Sequence, residues 1–238
     1  MKHTLAKRFL IATVIASTAA VPAFAADMPL RPAPAAPPAW SWEGFYLGAY
    51  AGGLWGHVNT GRTDTSQVVS NRPSGAALGE VIGYNHEWNG VVLGLEGDAG
   101  WTNASHTTSY VSATSGAPET ELDKSTYTAH VRGRVGLPFT QWLPFIAGGA
   151  SFTNDKMTLT HTASFLTPGT ITQDWVGWNI GGGIDYAFTS HWIGRVEYIY
   201  DDFGKKTYGF NAYTSGQFTD RVPKLTQNTV RALISYRF

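Results

Sequence analysis

Nine ionisable residues recur along this chain at spacings that could serve chemistry: Glu96 and Asp98, His130 with Arg132 and Arg134, then Asp185, Arg195, Glu197 and Arg231. Carboxylates beside a histidine are the ingredients of general acid–base work, and clustered arginines suit anion recognition. A spacing of two residues, however, puts each group on one face of an extended strand. The alternate positions are apolar: Leu93, Leu95 and Ala99 beside the first pair, and Ala129, Val131 and Val135 beside the second set. Charges on one face and hydrocarbon on the other describe a wall between a polar interior and an apolar exterior. Opposite charges confined inside such a wall must pair, because an unpaired buried charge is costly. His130 then reads as a packed polar residue rather than a base. The chain has no GxSxG, HExxH or P-loop pattern, and it has no cysteine. Neither a catalytic residue, a metal site nor a cofactor is assigned.

The elements that would hold these residues are strands. The final nine residues set Val230, Ala232, Ile234, Tyr236 and Phe238 against Arg231, Leu233, Ser235 and Arg237. The same alternation is read in seven earlier segments: Phe45 to Trp55, Ala76 to His86, Val91 to Trp101, Ser125 to Leu137, Trp142 to Phe152, Trp175 to Phe188 and Trp192 to Asp201. Ile82 and Tyr84 face outward in the second. Glu80 shares that phase, so it should sit near a headgroup region, unless the register there is wrong. The fifth segment leaves its phase open, since Phe145 and Ile146 are both apolar. Three connections are short turns, and four are polar loops rich in Thr and Ser: Gly56 to Gly75, Thr102 to Lys124, Thr153 to Gln173 and Asp202 to Leu225. Strict alternation of short and long connections, with strands of about ten residues, is the pattern of a transmembrane barrel. The expected fold is all-β: an eight-stranded antiparallel transmembrane β-barrel with short periplasmic turns and four long extracellular loops.

Both ends agree with export. Lys2, Lys7 and Arg8 precede an apolar run from Phe9 to Ala20, and Ala23-Phe24-Ala25 fits a small-x-small cleavage site. Residues 1–25 therefore read as a signal peptide cut near Ala25/Ala26, residues 26–41 as a Pro/Ala-rich periplasmic linker and residues 42–238 as the barrel. No later apolar run is long enough to cross a bilayer as a helix, and lipid tolerates only helices or closed sheets. The chain has 17 basic and 17 acidic residues. Removing the three basic residues of the leader gives 14 − 17 = −3, which argues against nucleic acid as a partner. Tryptophans are expected in two interfacial belts: Trp88, Trp142 and Trp192, with Trp42, at the turn ends, and Trp55, Trp101 and Trp175 at the loop ends.

The segments WEGFYLGAYAGGLW (42–55), GLEGD (94–98), VRGRVG (131–136), LPFIAGG (143–149), EYIYDDFG (197–204) and VRALISYRF (230–238) resemble the small outer-membrane β-barrel proteins of alphaproteobacteria, the porin-family or outer-membrane-protein β-barrel domain. The resemblance covers nearly the whole exported chain and implies a single-domain barrel and an abundant surface protein. Tyr236 and the terminal Phe238 resemble the signal read by the barrel-assembly machinery. The expected partners are outer-membrane lipid and lipopolysaccharide, with that machinery during biogenesis. The nine lumenal charges form either a plug that closes the pore or the filter of a narrow channel. An eight-stranded interior is only wide enough for side chains, which favours the plug and a structural, non-enzymatic role in the envelope and in surface presentation. The alternatives are a small pore for ions or solutes and a loop-borne binding protein for host contact or heme. For the last, His57, His106 and His161 are the candidate loop ligands, although scattered loop histidines are ordinarily solvated.

Overall fold

A computed structural model describes residues 40–62, 66–113, 116–161, 169–211 and 218–238. The expected signal peptide and residues 26–39 of the linker lie outside the described residues. The strands are β1 (Gly44–Arg62), β2 (Val68–Asn71), β3 (Ser74–Trp88), β4 (Val91–Thr102), β5 (Ser105–Val111), β6 (Pro118–Lys124), β7 (Tyr127–Gly136), β8 (Trp142–His161), β9 (Gly169–Ala187), β10 (Trp192–Lys205), β11 (Tyr208–Asn211) and β12 (Phe218–Arg237). Eight of them close into an antiparallel ring. β1 pairs with β3 on one side and β12 on the other, and the circuit runs on through β10, β9, β8, β7 and β4 back to β3. Closure leaves no lipid-facing strand edge, which is what a spanning sheet requires.

The alternation read in the sequence sets the register. Tyr46 and Tyr50 of β1 are buried inward while Phe45 and Leu47 face out. On β8 the open phase resolves with Phe145 inside and Ile146 outside. At the first turn, Asn89 and Gly90 both have positive φ (50° and 75°), the conformation a two-residue hairpin requires. Glycines make room inside the wall. A Cβ at Gly83 would collide with the Tyr46 ring, and one at Gly79 or Gly100 would collide with Tyr50.

Two expectations change. The long polar segments are largely strand, not loop: β1, β8, β9 and β12 reach 19 or 20 residues, and β2, β5, β6 and β11 are added beyond them. Their composition explains this, because β-branched residues alternate there with residues buried inside. In DKMTLTH, for example, Asp155, Met157 and Leu159 are buried and Lys156 is exposed. The linker boundary also moves. Trp40 packs edge-on against Trp42 at 5.3 Å, Arg237 lies 4.4 Å over the Trp40 ring, and Ser41 Oγ donates to Glu87 at 3.3 Å.

Glu80 keeps the outward phase expected of it, paired with Ala49 and Ala99, but not the depth. It lies four residues from Tyr84, whose ring lies tilted against Phe45 at the turn end, and six from Ser74, the partner of Trp55. At about 2.5 Å of height per residue on a tilted strand, it is roughly 10 and 15 Å from those levels, facing hydrocarbon. Glu80→Leu should therefore stabilise the barrel in lipid vesicles by about 1–2 kcal/mol, measured by urea unfolding. A loss of stability would contradict this placement.

Candidate functional site

The barrel brings all nine expected charges into one interior layer. Register makes the first pairs: Glu96 stands opposite Arg132, Asp98 opposite His130, Asp185 opposite Arg195 and Glu197 opposite Arg231. Side chains then cross the lumen. Arg231 forks onto Asp98, with Nη1 and Nη2 donating at 2.9 and 3.0 Å, while its Nε donates to Glu197. Arg132 donates to Glu96 and, at 3.0 Å, to Glu197. Arg195 donates to Asp185 at 2.6 Å and to Glu96, and Arg134 donates to Asp185 at 2.7 Å. Every one of these side chains is at most 5 % exposed.

Some members of the network were missed by sequence reasoning. Asp201, in phase with Arg195 and Glu197 on β10, accepts from Ser151 Oγ at 2.5 Å and faces His130 Nε2 at 3.1 Å. His130 Nδ1 faces Asp98 at 2.8 Å. The imidazole thus lies between two carboxylates, one at each ring nitrogen. Tyr46 donates its hydroxyl to Glu96 at 2.6 Å. Arg134 lies 4.1 Å over the Phe145 ring, and Arg231 4.3 Å over Tyr50. The signal for Asp201 and Tyr46 is present in the sequence as phase: Asp201 ends its segment, and Tyr46 alternates with Phe45 and Leu47.

Below this layer Trp42, Val92, Leu143, Ala187 and Ile193 form an apolar floor. Above it, Val58, Met157, Leu159, Trp175, Phe203 and Leu225 form an apolar ceiling. Two tryptophans expected at the interface are thus inside. Trp42 shares the inward phase of Tyr46, and Trp175 shares that of Asn179; at 1 % and 2 % exposure both fill lumen. Trp55, Trp88, Trp101, Trp142 and Trp192 do face outward, joined by Trp178. Tyr236 packs edge-on against Trp192 and Phe238, each at 5.3 Å, within the turn-end belt.

Beyond the ceiling, on strand extensions past the loop-end belt, lies a second polar group. Arg221 donates to Glu119 at 3.0 Å and lies 3.5 Å from Glu121, which also accepts from Thr60 at 3.3 Å. Asn71 donates to Asp123. Asp123 and Asp155 have no cationic partner among the described residues, and Asp123 Oδ1 and Asp155 Oδ2 accept no hydrogen bond. Burial, reinforced by the neighbouring carboxylates, pushes Asp123 up to about 8 and Asp155 up to about 7. Burial likewise raises Glu121, against the pull of Arg221. His57 lies on β1 and His106 on β5, while the side chain of His161 falls outside the described residues. Among the described residues no three His, Asp or Glu side chains are grouped to hold a metal ion.

Comparison with known proteins accords with this geometry. The family model for the outer membrane protein beta-barrel domain matches residues 11–238. The chain belongs to that family. It is 30% identical over 242 residues to a 25 kDa outer-membrane immunogenic protein of Brucella abortus, covering 97% of this chain and all of the relative. It is 31% identical over 251 residues to a 31 kDa outer-membrane immunogenic protein of Brucella melitensis, covering 96% and 99%. Among solved structures, the outer membrane protease OmpT from Escherichia coli aligns with a TM-score of 0.53 at 10% identity, covering 82% of this chain and 97% of that one; this likeness concerns the fold alone. The protein is an integral outer-membrane barrel of the alphaproteobacterial type. By the family's topology the short turns face the periplasm and the long extensions face outward.

Two outcomes follow for this family member. Arg231→Met strands Asp98 and Glu197 without their fork, and should cost about 3–5 kcal/mol in urea unfolding followed by tryptophan fluorescence. A loss under about 1 kcal/mol would remove the network from what holds the barrel together. The raised carboxyls favour the folded state when protonated. Their contribution is complete below the ordinary carboxylate range and is lost as pH rises through about 7 to 8. Asp123→Asn should therefore leave stability at pH 5 nearly unchanged and raise it at pH 9 by about 1–3 kcal/mol. Equal effects at both pH values would contradict the assignment.

Proposed function

We propose that this barrel is a non-enzymatic structural element of the outer membrane whose closed lumen supports an extracellular β-structure for presentation at the surface. The observation that carries the reading is the ion-pair layer: four arginines and His130 against Glu96, Asp98, Asp185, Glu197 and Asp201, all buried between two apolar layers. A filter must keep its charges in water and leave a path past them. Here each of the four guanidiniums is held by at least one carboxylate, and the floor and ceiling are filled by indole, phenyl, aliphatic and thioether side chains. Acid–base catalysis at His130 would need access to substrate, yet its ring is enclosed by Asp98 and Asp201. The exposed outer portions of β5, β6 and β8 suit surface presentation, and relatives named immunogenic outer-membrane proteins support that part of the reading.

Planar-bilayer recording of the refolded protein tests the reading against the pore alternative. The expected record has no stable open level, and Arg132→Ala with Arg134→Ala introduces conductance steps by removing two lumenal guanidiniums. A steady, ion-selective conductance in the unaltered protein would replace the plug with a channel.

A further inference from the structure

The outer wall carries one arrangement that strand pairing disfavours. Lys124 of β6 and Lys156 of β8 are direct register partners, and both side chains are exposed. Like charges placed directly opposite on one face of an antiparallel pair repel. Among the described residues, neither ammonium has an ion-pair or hydrogen-bond partner. Asp174, one row away on β9, accepts from the Tyr127 hydroxyl at 3.2 Å instead. The adjoining carboxylates Asp123 and Asp155 point to the interior. The row continues on either side, with Ser105 of β5 paired to Lys124 and Thr172 of β9 paired to Lys156. Four neighbouring strands therefore present hydroxyl, ammonium, ammonium and hydroxyl in one line.

The height of this row is informative. Lys124 lies three residues past Tyr127, the partner of the belt residue Trp101, and Lys156 lies two past Asn154, whose side-chain oxygen accepts from the Tyr127 backbone N–H. At about 2.5 Å per residue these lysines stand roughly 5–8 Å beyond the hydrocarbon edge. A headgroup zone occupies about 5–8 Å on each side of the hydrocarbon. We propose that Lys124 and Lys156, flanked by Ser105 and Thr172, bind a phosphate group on the glycolipid of the outer leaflet. Cross-strand Cβ atoms about 5 Å apart allow two ammoniums to reach oxygens of one phosphate. Lysine offers that group a compact charge with rotatable donors. The bound anion would offset the repulsion that the strand pairing otherwise carries.

The test uses the refolded full chain in non-ionic detergent, titrated separately with bisphosphorylated lipid A, dephosphorylated lipid A and inorganic phosphate, with native mass spectrometry as the readout. Bisphosphorylated lipid A should bind at least about tenfold more tightly than the dephosphorylated form. The double variant K124Q/K156Q should lose that discrimination, while K124R/K156R should keep it. Heat-modifiable gel migration shows that each variant has folded. Undiminished discrimination in K124Q/K156Q would overturn the site, as would equal binding of the two lipid A forms by the unaltered protein. Inorganic phosphate binding as tightly as bisphosphorylated lipid A would overturn the assignment to a membrane glycolipid.

Discussion

A charge on the inner face of this barrel depends on other inward side chains for its partners. Eight strands enclose a lumen barely wider than the residues that line it, and lipid outside offers no hydrogen bonds. A charged residue on the inner face can pair only with a neighbouring strand or across the barrel. The arginine forks of β7, β10 and β12 on the carboxylates of β4, β9 and β10 are the consequence. Removing one member leaves its partner buried and unpaired, so the layer behaves as a unit. The apolar floor and ceiling deepen this dependence by keeping water from the ends of the layer.

The two polar groups of the interior are governed by the same constraint with opposite outcomes. In the membrane-spanning part, positive and negative groups nearly balance and the lone histidine bridges two acids. In the extracellular part the acids outnumber their described counter-ions, and protons take the place of arginine at Asp123 and Asp155. The first arrangement is held by paired charges. The second ties the outer end of the barrel to the acidity of its surroundings.

The fold was legible because period two is the whole code of a closed sheet with one lipid face. Strand number, closure and the inward set from Glu96 to Arg231 all follow from it. Three features were hidden, each for its own reason. Trp42 and Trp175 have the same composition as belt residues, and only their phase marks them as lumen fillers. The extracellular strands have Thr-rich sequences that suit both a hydrated loop and an exposed strand face, and pairing partners from distant segments decide between the two. Cross-lumen contacts such as Arg231 with Asp98 join residues 133 positions apart, a proximity that exists only once the ring has closed.

The glycines at 79, 83 and 100 bear on how the ring closes. Each is a socket in the wall for a tyrosine of β1: Tyr46 at Gly83, and Tyr50 at Gly79 and Gly100. A slip of β1 by one residue would turn both rings out toward lipid, and a slip by two would drive them against a neighbour that has no socket. The tyrosines therefore act as a key that accepts one alignment of β1 with β3 and β4. The first strand is thereby indexed against β3 and β4, and β12 pairs with the other edge of that same strand.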